Sequence, residues 1–278
     1  MAIVAAVQMV SGPEVQKNLW DMGQWVRQAA LKGAQLVVLP EYFCLMAPNP
    51  QEKSLHAESP CDLGAVPTDP IQSALSTAAK SNRVWLVGGT VPLRSADPGR
   101  VFNSCLVFDP EGRLAARYDK LHLFSFQQGQ EAFDEAKTIC PGDRPIACET
   151  PVGHTALSVC YDIRFPEYYR TLAAPAPLDL IVVSAAFTET TGRAHWETLL
   201  RARAIENQTW LIASAQGGEH PGGRRTWGHS MLVDPWGRII SERATGAGLV
   251  VGEVDAAVTE QIRINLPALR HRTIGVSL

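Results

Sequence analysis

The strongest constraint on the fold is an alternation of buried strands with an amphipathic helix near the start of the chain. The apolar segment 3–8 is typical of a short buried strand. Asn18 is placed to cap a helix, and Gly33 is placed to end it in the left-handed conformation. The apolar positions of this helix are three or four residues apart: Leu19, Met22, Val26 and Ala29. The run 36–39 is apolar throughout, as in a strand covered on both faces, so this opening predicts an α/β protein.

The alternation continues to the end of the chain. Further helices are predicted over 70–81, from 166 and over 195–207, and further strands over 84–90, 104–109, 114–118, 154–160, 180–184, 210–215, 231–233 and 238–240. The segments 109–113 and 234–238 share the pattern Asp-Pro-x-Gly-Arg, which favours a tight turn, so each predicts a hairpin. We therefore predict one domain over residues 1–278, with helices and hairpins around two sheets.

Two segments are long for connections in a compact domain. Segment 47–70 is rich in proline, serine and charged residues, and segment 124–144 is rich in glutamine, glycine and acidic residues. Loops of this length are typically lids or pocket walls. We expect both to border a ligand pocket.

The composition argues against several classes of protein. The 25 basic and 28 acidic side chains leave a formal net charge of −3, which argues against a nucleic-acid partner. No apolar stretch approaches the roughly 18 residues that cross a bilayer, and the first residues lack a signal-peptide pattern. We therefore expect a cytoplasmic protein without membrane contact. The six cysteines include no C-x-x-C pair, which predicts free thiols and no metal site.

Four reactive side chains lie at predicted strand ends or in the second long loop: Glu41, Lys120, Cys160 and Glu135. Each by itself has a simpler explanation, as a buried core thiol or a surface charge. Together they form a coherent set for acyl transfer, because a carboxylate can activate the thiol and an ammonium can stabilise the oxyanion. The backbone N–H of Tyr161, at a helix start, is a second oxyanion donor. Such a set needs no metal or cofactor.

Three segments resemble, in the same order, the three signatures of the nitrilase superfamily of carbon–nitrogen hydrolases: Leu-Pro-Glu at 39–41, Tyr-Asp-Lys-Leu-His-Leu-Phe at 118–124 and Val-Cys-Tyr-Asp-Ile-Arg-Phe-Pro-Glu at 159–167. The resemblance continues through 184–187, 195–197, 201–207 and 227–230, and so covers essentially the whole chain. It implies a four-layer α-β-β-α sandwich. It also implies that Glu41 is the general base, Lys120 the oxyanion stabiliser and Cys160 the nucleophile.

Many members of this family have a second active-site glutamate. Counting back from the loop ending at 141–143 places it at Glu135. Glu131 is the alternative, because segment 126–131 departs from the usual pattern of the family. Members commonly dimerise through helices on one outer face. The resemblance therefore implies a homodimer that buries the helix starting at Pro166 and the C-terminal tail.

Within the family, segments 160–167 and 195–197 most resemble amidases that act on α-keto acid amides. The resemblance implies a thioester mechanism, and segments 199–206 and 215–225 favour deaminated glutathione as substrate, giving α-ketoglutarate and cysteinylglycine. The alternative substrate is α-ketoglutaramate, followed by other aliphatic amides and nitriles. Two alternatives from other classes are a Cys–His thiol enzyme and a catalytically inactive interaction protein.

Both favoured substrates place a carboxylate beside a ketone. Arg164, four residues after the candidate nucleophile, can bind that carboxylate through two parallel hydrogen bonds. Phe187 and Thr191 are predicted to line the opposite wall, and Tyr161 to contact the substrate beside the nucleophile. Arg164 has an equally good alternative, which is a structural ion pair with Glu167 or another acidic residue.

Overall fold

The computed structural model describes residues 1–129 and 131–274. The described residues form six α-helices: α1 Val15–Leu31, α2 Glu52–Leu55, α3 Pro70–Asn82, α4 Pro166–Leu172, α5 Glu189–Asn207 and α6 Ala256–Asn265. They also form two short 3-10 helices, Glu135–Lys137 and Cys160–Arg164. Within these ranges, no helix has both the length and the apolar character that crossing a membrane requires.

The same residues form eighteen β-strands: β1 Ala2–Gln8, β2 Leu36–Val38, β3 Trp85–Val87, β4 Val91–Arg94, β5 Val101–Phe108, β6 Leu114–Asp119, β7 Ser125–Gln128, β8 Glu131–Asp134, β9 Ile139–Cys140, β10 Ala147–Thr150, β11 Gly153–Val159, β12 Leu180–Ala185, β13 Trp210–Ala215, β14 Gly217–Glu219, β15 Arg225–Trp227, β16 Ser230–Val233, β17 Ile239–Arg243 and β18 Gly248–Val254. The two long loops of the sequence therefore contain short elements. Segment 47–70 holds α2, and segment 124–144 holds the β7–β8 hairpin.

The first sheet has the strand order β18-β1-β2-β3-β5-β4, and β6 and β9 also pair with β5. Its strands β1, β2 and β3 are parallel, because α1 and α3 carry the chain back between them. Strands β5 and β6 are antiparallel, and Phe108 pairs with Leu114 across the turn. This pairing confirms the hairpin predicted at 109–113.

The second sheet has the strand order β10-β11-β12-β13-β16-β17. Strands β11, β12 and β13 are parallel, with α4 and α5 as the crossover helices. Strands β16 and β17 form the hairpin predicted at 234–238, with Val233 paired to Ile239.

Alternate residues of β1 show how the layers stack. Ala5 and Val7 pack into a core with α1 and α3, whereas Val4 and Ala6 pack into a second core with strands of the other sheet. That second core also includes residues of α4 and α5, among them the fully buried Trp196. The order of layers is therefore helix, sheet, sheet, helix, as the resemblance implied.

The predicted start of the first helix is wrong, although its end is right. The helix begins at Val15, so Asn18 lies inside its first turn. The Asn18 amide instead binds the backbone of two loops, accepting from Gly12 N at 3.0 Å and donating to Cys44 O at 2.9 Å. These long-range partners outweigh the local capping preference. Gly33 has φ of 84°, the left-handed conformation predicted for it.

Helix α5 starts six residues earlier than the predicted residue 195, at Glu189. The Thr188 side chain caps it by accepting a hydrogen bond from Thr191 N at 3.4 Å. Its first turn lies at the pocket described below, so this earlier start carries two threonines to the site.

Candidate active site

The candidate catalytic residues come from the ends of three strands in two sheets. Glu41 follows β2 and Lys120 follows β6 in the first sheet, and Cys160 follows β11 in the second. The two sheets pack face to face, so these strand ends meet although they are far apart in sequence. Lys120 is fully buried and Glu41 is 1% exposed, so their charges need partners inside the protein.

Lys120 has two carboxylate partners. Its Nζ lies 2.8 Å from Glu41 Oε1 and 2.8 Å from Glu135 Oε2. Burial acts to lower the pKa of Lys120, but attraction to Glu135 and Glu41 outweighs it and raises the pKa above the ordinary lysine value. The side chain therefore remains an ammonium, which is the form that stabilises an oxyanion.

Two further donors orient Glu41. Asn103 Nδ2 donates to Glu41 Oε1 at 2.9 Å, and Ala186 N donates to Oε2 at 3.0 Å. Asn103 lies within the apolar strand β5 and is 3% exposed. Because buried polar groups need partners, a lone asparagine in an apolar strand is a signal that our sequence analysis missed.

The structure brings Glu135, and not Glu131, to the buried lysine. Tyr42 donates its hydroxyl to Glu135 Oε1 at 2.8 Å, and Phe124 N donates to Oε2 at 2.8 Å. Glu131 is exposed at the start of β8 and accepts a hydrogen bond from Thr190 at 2.9 Å. Glu131 begins β8 and Glu135 follows its last residue, so this strand separates the two glutamates in space although only four positions separate them in sequence.

The charges in the site act on one another. Burial raises the pKa of Glu135, but the ammonium groups of Lys120 and Lys53 and two hydrogen bonds hold it below the ordinary glutamate value. Burial lowers the pKa of Lys53 to about 8, against the attraction of Glu135. Burial and the charge of Glu41 raise the pKa of Cys160 well above that of a free thiol, while Lys120 opposes this. The thiol is therefore protonated at rest and needs a base in order to react.

The turn that carries Cys160 is stabilised by the buried carboxylate of Asp162. Cys160 has φ of 50°, which is unusual for a side chain with a Cβ. Asp162 is fully buried and accepts hydrogen bonds from Val159 N at 2.8 Å and from the Tyr118 hydroxyl at 2.7 Å. Its other oxygen lies 2.7 Å from His122 Nδ1. These contacts stabilise a strained turn that directs the thiol into the pocket.

We call the cavity that Glu41, Glu135 and Cys160 line together the reactive pocket. Its lining residues are Glu41, Phe124, Glu135, Cys160, Tyr161, Ala186, Phe187, Thr188, Thr191 and Arg224. Three of the four predicted substrate contacts, namely Tyr161, Phe187 and Thr191, are among them. Arg224 lines the pocket but was not predicted. The lining contains no histidine within the described chain, so nothing there supports the Cys–His alternative.

Arg164 is the predicted contact that does not line the reactive pocket. Its guanidinium lies over the rings of Tyr161 and Phe187, with centroid distances of 5.7 and 5.2 Å. Its Nη1 lies 3.3 Å from His195 Nδ1. Arg164 therefore contacts His195 and lies over two residues of the pocket wall, and among the residues described here it forms no ion pair with Glu167 or another acid.

Cavity volume alone does not identify the reactive pocket. A groove of about 670 Å³ runs past Cys61, Phe102 and Arg117, and it contains none of the four reactive side chains. The location of the site therefore rests on chemistry rather than volume. Over residues 1–129 and 131–274, no group of three or more histidine, cysteine, aspartate or glutamate side chains is placed to hold a metal ion.

A thiol, a lysine and two glutamates between the sheets of an α-β-β-α sandwich define a class of hydrolase, and the family comparison agrees. Residues 3–264 match the family described as carbon-nitrogen hydrolase. The chain belongs to this family, as the three sequence signatures predicted, and its enzyme class is thereby confirmed.

Relatives within the family are similar over their full length. Deaminated glutathione amidase of Yersinia enterocolitica is 39% identical over 280 residues, covering 100% of this chain and 95% of that protein. Omega-amidase NIT2 of Homo sapiens is 34% identical over 271 residues, covering 97% of this chain and 94% of that protein.

Solved structures agree with the fold. Nit3 of Saccharomyces cerevisiae, a member of branch 10 of the nitrilase superfamily, has a TM-score of 0.87 at 28% identity and covers 98% of this chain and 97% of its own. The NitFhit protein of C. elegans has a TM-score of 0.88 at 33% identity and covers 98% of this chain. This chain spans 66% of that longer protein.

Proposed function

We propose that this enzyme is a thiol amidase that hydrolyses deaminated glutathione to α-ketoglutarate and cysteinylglycine. The observation that carries the proposal is that Lys120 lies 2.8 Å from both Glu41 and Glu135, two carboxylates that line one pocket with Cys160. Relatives named deaminated glutathione amidase, 39% and 37% identical to this chain, support the choice of substrate.

In the first half of the reaction, Glu41 takes the proton of Cys160 as Sγ bonds to the amide carbon. The carbonyl electrons move to oxygen, where the Lys120 ammonium and the Tyr161 N–H stabilise the oxyanion. Collapse of this intermediate breaks the C–N bond, and Glu41 returns its proton to the leaving nitrogen. The product of this half is a thioester and a free amine. Glu135 positions the lysine throughout.

In the second half, Glu41 takes a proton from water as the water oxygen attacks the thioester carbon. The C–S bond breaks, the acid leaves, and the thiolate of Cys160 regains the proton. The same carboxylate transfers the proton in both halves of the reaction. One base and one nucleophile therefore suffice for the proton transfers and the covalent steps. The lysine supplies only charge, so it need not change protonation state.

A second candidate reaction is the hydrolysis of α-ketoglutaramate. The 34% identity to Omega-amidase NIT2 of Homo sapiens favours it over other amides and nitriles. The two substrates share the α-keto acid group and differ in the amine released, which is a dipeptide in one case and ammonia in the other.

The deciding experiment is steady-state kcat/KM on both substrates, with Cys160→Ala as the blank and Cys61→Ala as the control thiol outside the reactive pocket. We expect Cys160→Ala to fold normally and to show no turnover, and Cys61→Ala to retain activity. A preference of about tenfold or more for deaminated glutathione, or about 1.4 kcal/mol in transition-state terms, supports the proposal. The opposite preference assigns the enzyme to α-ketoglutaramate, and normal turnover by Cys160→Ala refutes the mechanism.

We also propose that the enzyme is cytoplasmic and takes a small-molecule amide without a nucleic-acid or membrane partner. Its six cysteines are all free, which suits a reducing compartment. The formal net charge of −3 provides no overall electrostatic attraction to the phosphate groups of nucleic acids. Fractionation of cells that express the tagged protein tests this location.

A further inference from the structure

Arg224 is a cation of the reactive pocket that the proposed mechanism does not use. Its backbone lies just before β15, where its carbonyl accepts a hydrogen bond from His220 N at 2.8 Å. Its Nη2 donates to Ala186 O at 3.3 Å. Its Nε is buried and has no hydrogen-bond partner in the part of the chain that the structure describes. A buried donor without a partner is costly, so this guanidinium is arranged for an acceptor from outside the chain.

Two aromatic rings fix the position of this guanidinium. Its Cζ lies 5.8 Å from the ring centroid of Tyr42 and 5.7 Å from that of Phe133. Rings attract a cation through their faces and do not occupy its N–H groups. The two rings therefore hold Arg224 in place at the lining of the reactive pocket without using its N–H donors.

A second cation approaches the same ring. Lys53, from α2 in the first long loop, has its Nζ 4.0 Å from the Tyr42 centroid. The charges of Glu135, Glu41, Arg224 and Lys120 all act on the pKa of its ammonium. The site thus contains three cations and two carboxylates: Lys53, Lys120 and Arg224, and Glu41 and Glu135. The excess positive charge favours an anionic ligand.

The mechanism indicates which part of the substrate meets these two cations. The ring that both of them contact, Tyr42, donates its hydroxyl to Glu135 at 2.8 Å. Glu135 shares the Lys120 ammonium with Glu41, the carboxylate that returns the proton to the leaving nitrogen. Arg164 lies over a different aromatic pair, Tyr161 and Phe187, where the acyl carboxylate is predicted to bind. With Arg164 assigned to the acyl carboxylate, as the sequence analysis predicts, Lys53 and Arg224 are left for the amine.

We infer that Lys53 and Arg224 form a carboxylate subsite that binds an anionic leaving amine. The inference rests on the proposed function, because deaminated glutathione carries a carboxylate on its amine side, whereas α-ketoglutaramate releases ammonia. The subsite selects amides whose amine bears a carboxylate, such as a dipeptide with a free C-terminus.

The test uses three substrates: deaminated glutathione, its C-terminal glycinamide analogue, and α-ketoglutaramate. Arg224→Gln is expected to lower kcat/KM on deaminated glutathione by about 10- to 100-fold, the effect of losing a charge-assisted hydrogen bond. The decrease on the other two substrates is expected to be much smaller, because they lack the amine-side carboxylate. Arg225→Gln is the matched control, since the neighbouring side chain is 62% exposed and pairs with Glu189 on the surface.

Two further variants separate binding from folding. Arg224→Lys keeps the charge and should recover part of the loss, and Lys53→Gln, from a different element, should reproduce the selective loss to a smaller degree. Equal losses on all three substrates, or wild-type enzyme that does not distinguish the glycinamide analogue, would overturn the subsite. Wild-type enzyme active on α-ketoglutaramate but inactive on deaminated glutathione would refute the proposed function itself, and the subsite with it.

Discussion

Cys160 keeps its proton in the resting enzyme, which gives a test at the scale of one residue. Burial raises the pKa of this thiol, and the charge of Glu41 raises it further. Alkylation by iodoacetamide should therefore be slow at neutral pH and should still be rising above the pH at which a free thiol has ionised. Glu41→Gln removes one raising charge and leaves Lys120 in place, so its alkylation profile should move to lower pH.

The measurement follows the Cys160 peptide by mass spectrometry across pH, because the other five cysteines are also free. Glu131→Gln is the matched control, since that glutamate is exposed and bonds to Thr190 outside the reactive pocket. A Glu41→Gln profile that stays in place or moves to higher pH would contradict the assigned electrostatics.

Lys120 is expected to act on the rate rather than on binding. Lys120→Ala should lower kcat by about a hundredfold or more, the size of effect produced by removing an oxyanion donor. The substitution also leaves Glu41 and Glu135 without their shared cation, which raises the cost of keeping both ionised. Lys17→Ala, at a lysine 65% exposed on α1, is the control and should have wild-type kinetics. An increase confined to KM would exclude the proposed role.

At the scale of an element, the turn after β11 depends on Asp162. Asp162→Ala leaves the Val159 N–H and the Tyr118 hydroxyl without their buried acceptor. We expect a loss of about 2–3 kcal/mol in the free energy of unfolding, together with a fall in kcat because the strained Cys160 conformation loses its support. Urea denaturation and steady-state kinetics measure the two effects.

Asp234→Ala provides the matched control for that variant. Asp234 is 5% exposed and accepts hydrogen bonds from Trp236 N and Arg238 N in the β16–β17 turn, away from the reactive pocket. It should lose stability without losing kcat. If Asp162→Ala behaves in the same way, with kcat intact, the turn does not position the nucleophile.

At the scale of the whole molecule, we propose the homodimer that the family resemblance implies, with α4 in the interface. Light scattering should give twice the 30.2 kDa mass of the chain. Thr171→Arg, on the exposed side of α4, should favour monomers, whereas Lys32→Glu beyond the end of α1 should not. A wild-type mass of one chain would refute the dimer. The interface was also expected to include the C-terminal tail, of which residues 275–278 lie outside the described residues.

The strand ends and the two hairpins were predictable, because each has a local signature. The order of the layers was expected only from the resemblance to the family. An apolar run followed by Pro40 and Glu41 marks a strand exit wherever the strand lies in the sheet. Helix starts were less predictable. The cap at Thr188 and the interior position of Asn18 depend on which partners the fold brings within reach, and spacing alone does not contain that information.

The sequence by itself determined which reactive residue types stand at the strand ends and to which family the chain belongs, because both are properties of short contiguous segments. Only the tertiary structure decided which side chains meet. Asn103, from the middle of β5, reaches Glu41, and Arg224, from before β15, reaches the lining of the reactive pocket. The choice of Glu135 over Glu131 was also made there, because β8 places the two glutamates at its opposite ends and Glu135, not Glu131, reaches Lys120. The contact between Asn103 and Glu41 joins residues 62 positions apart, and a local pattern cannot specify it.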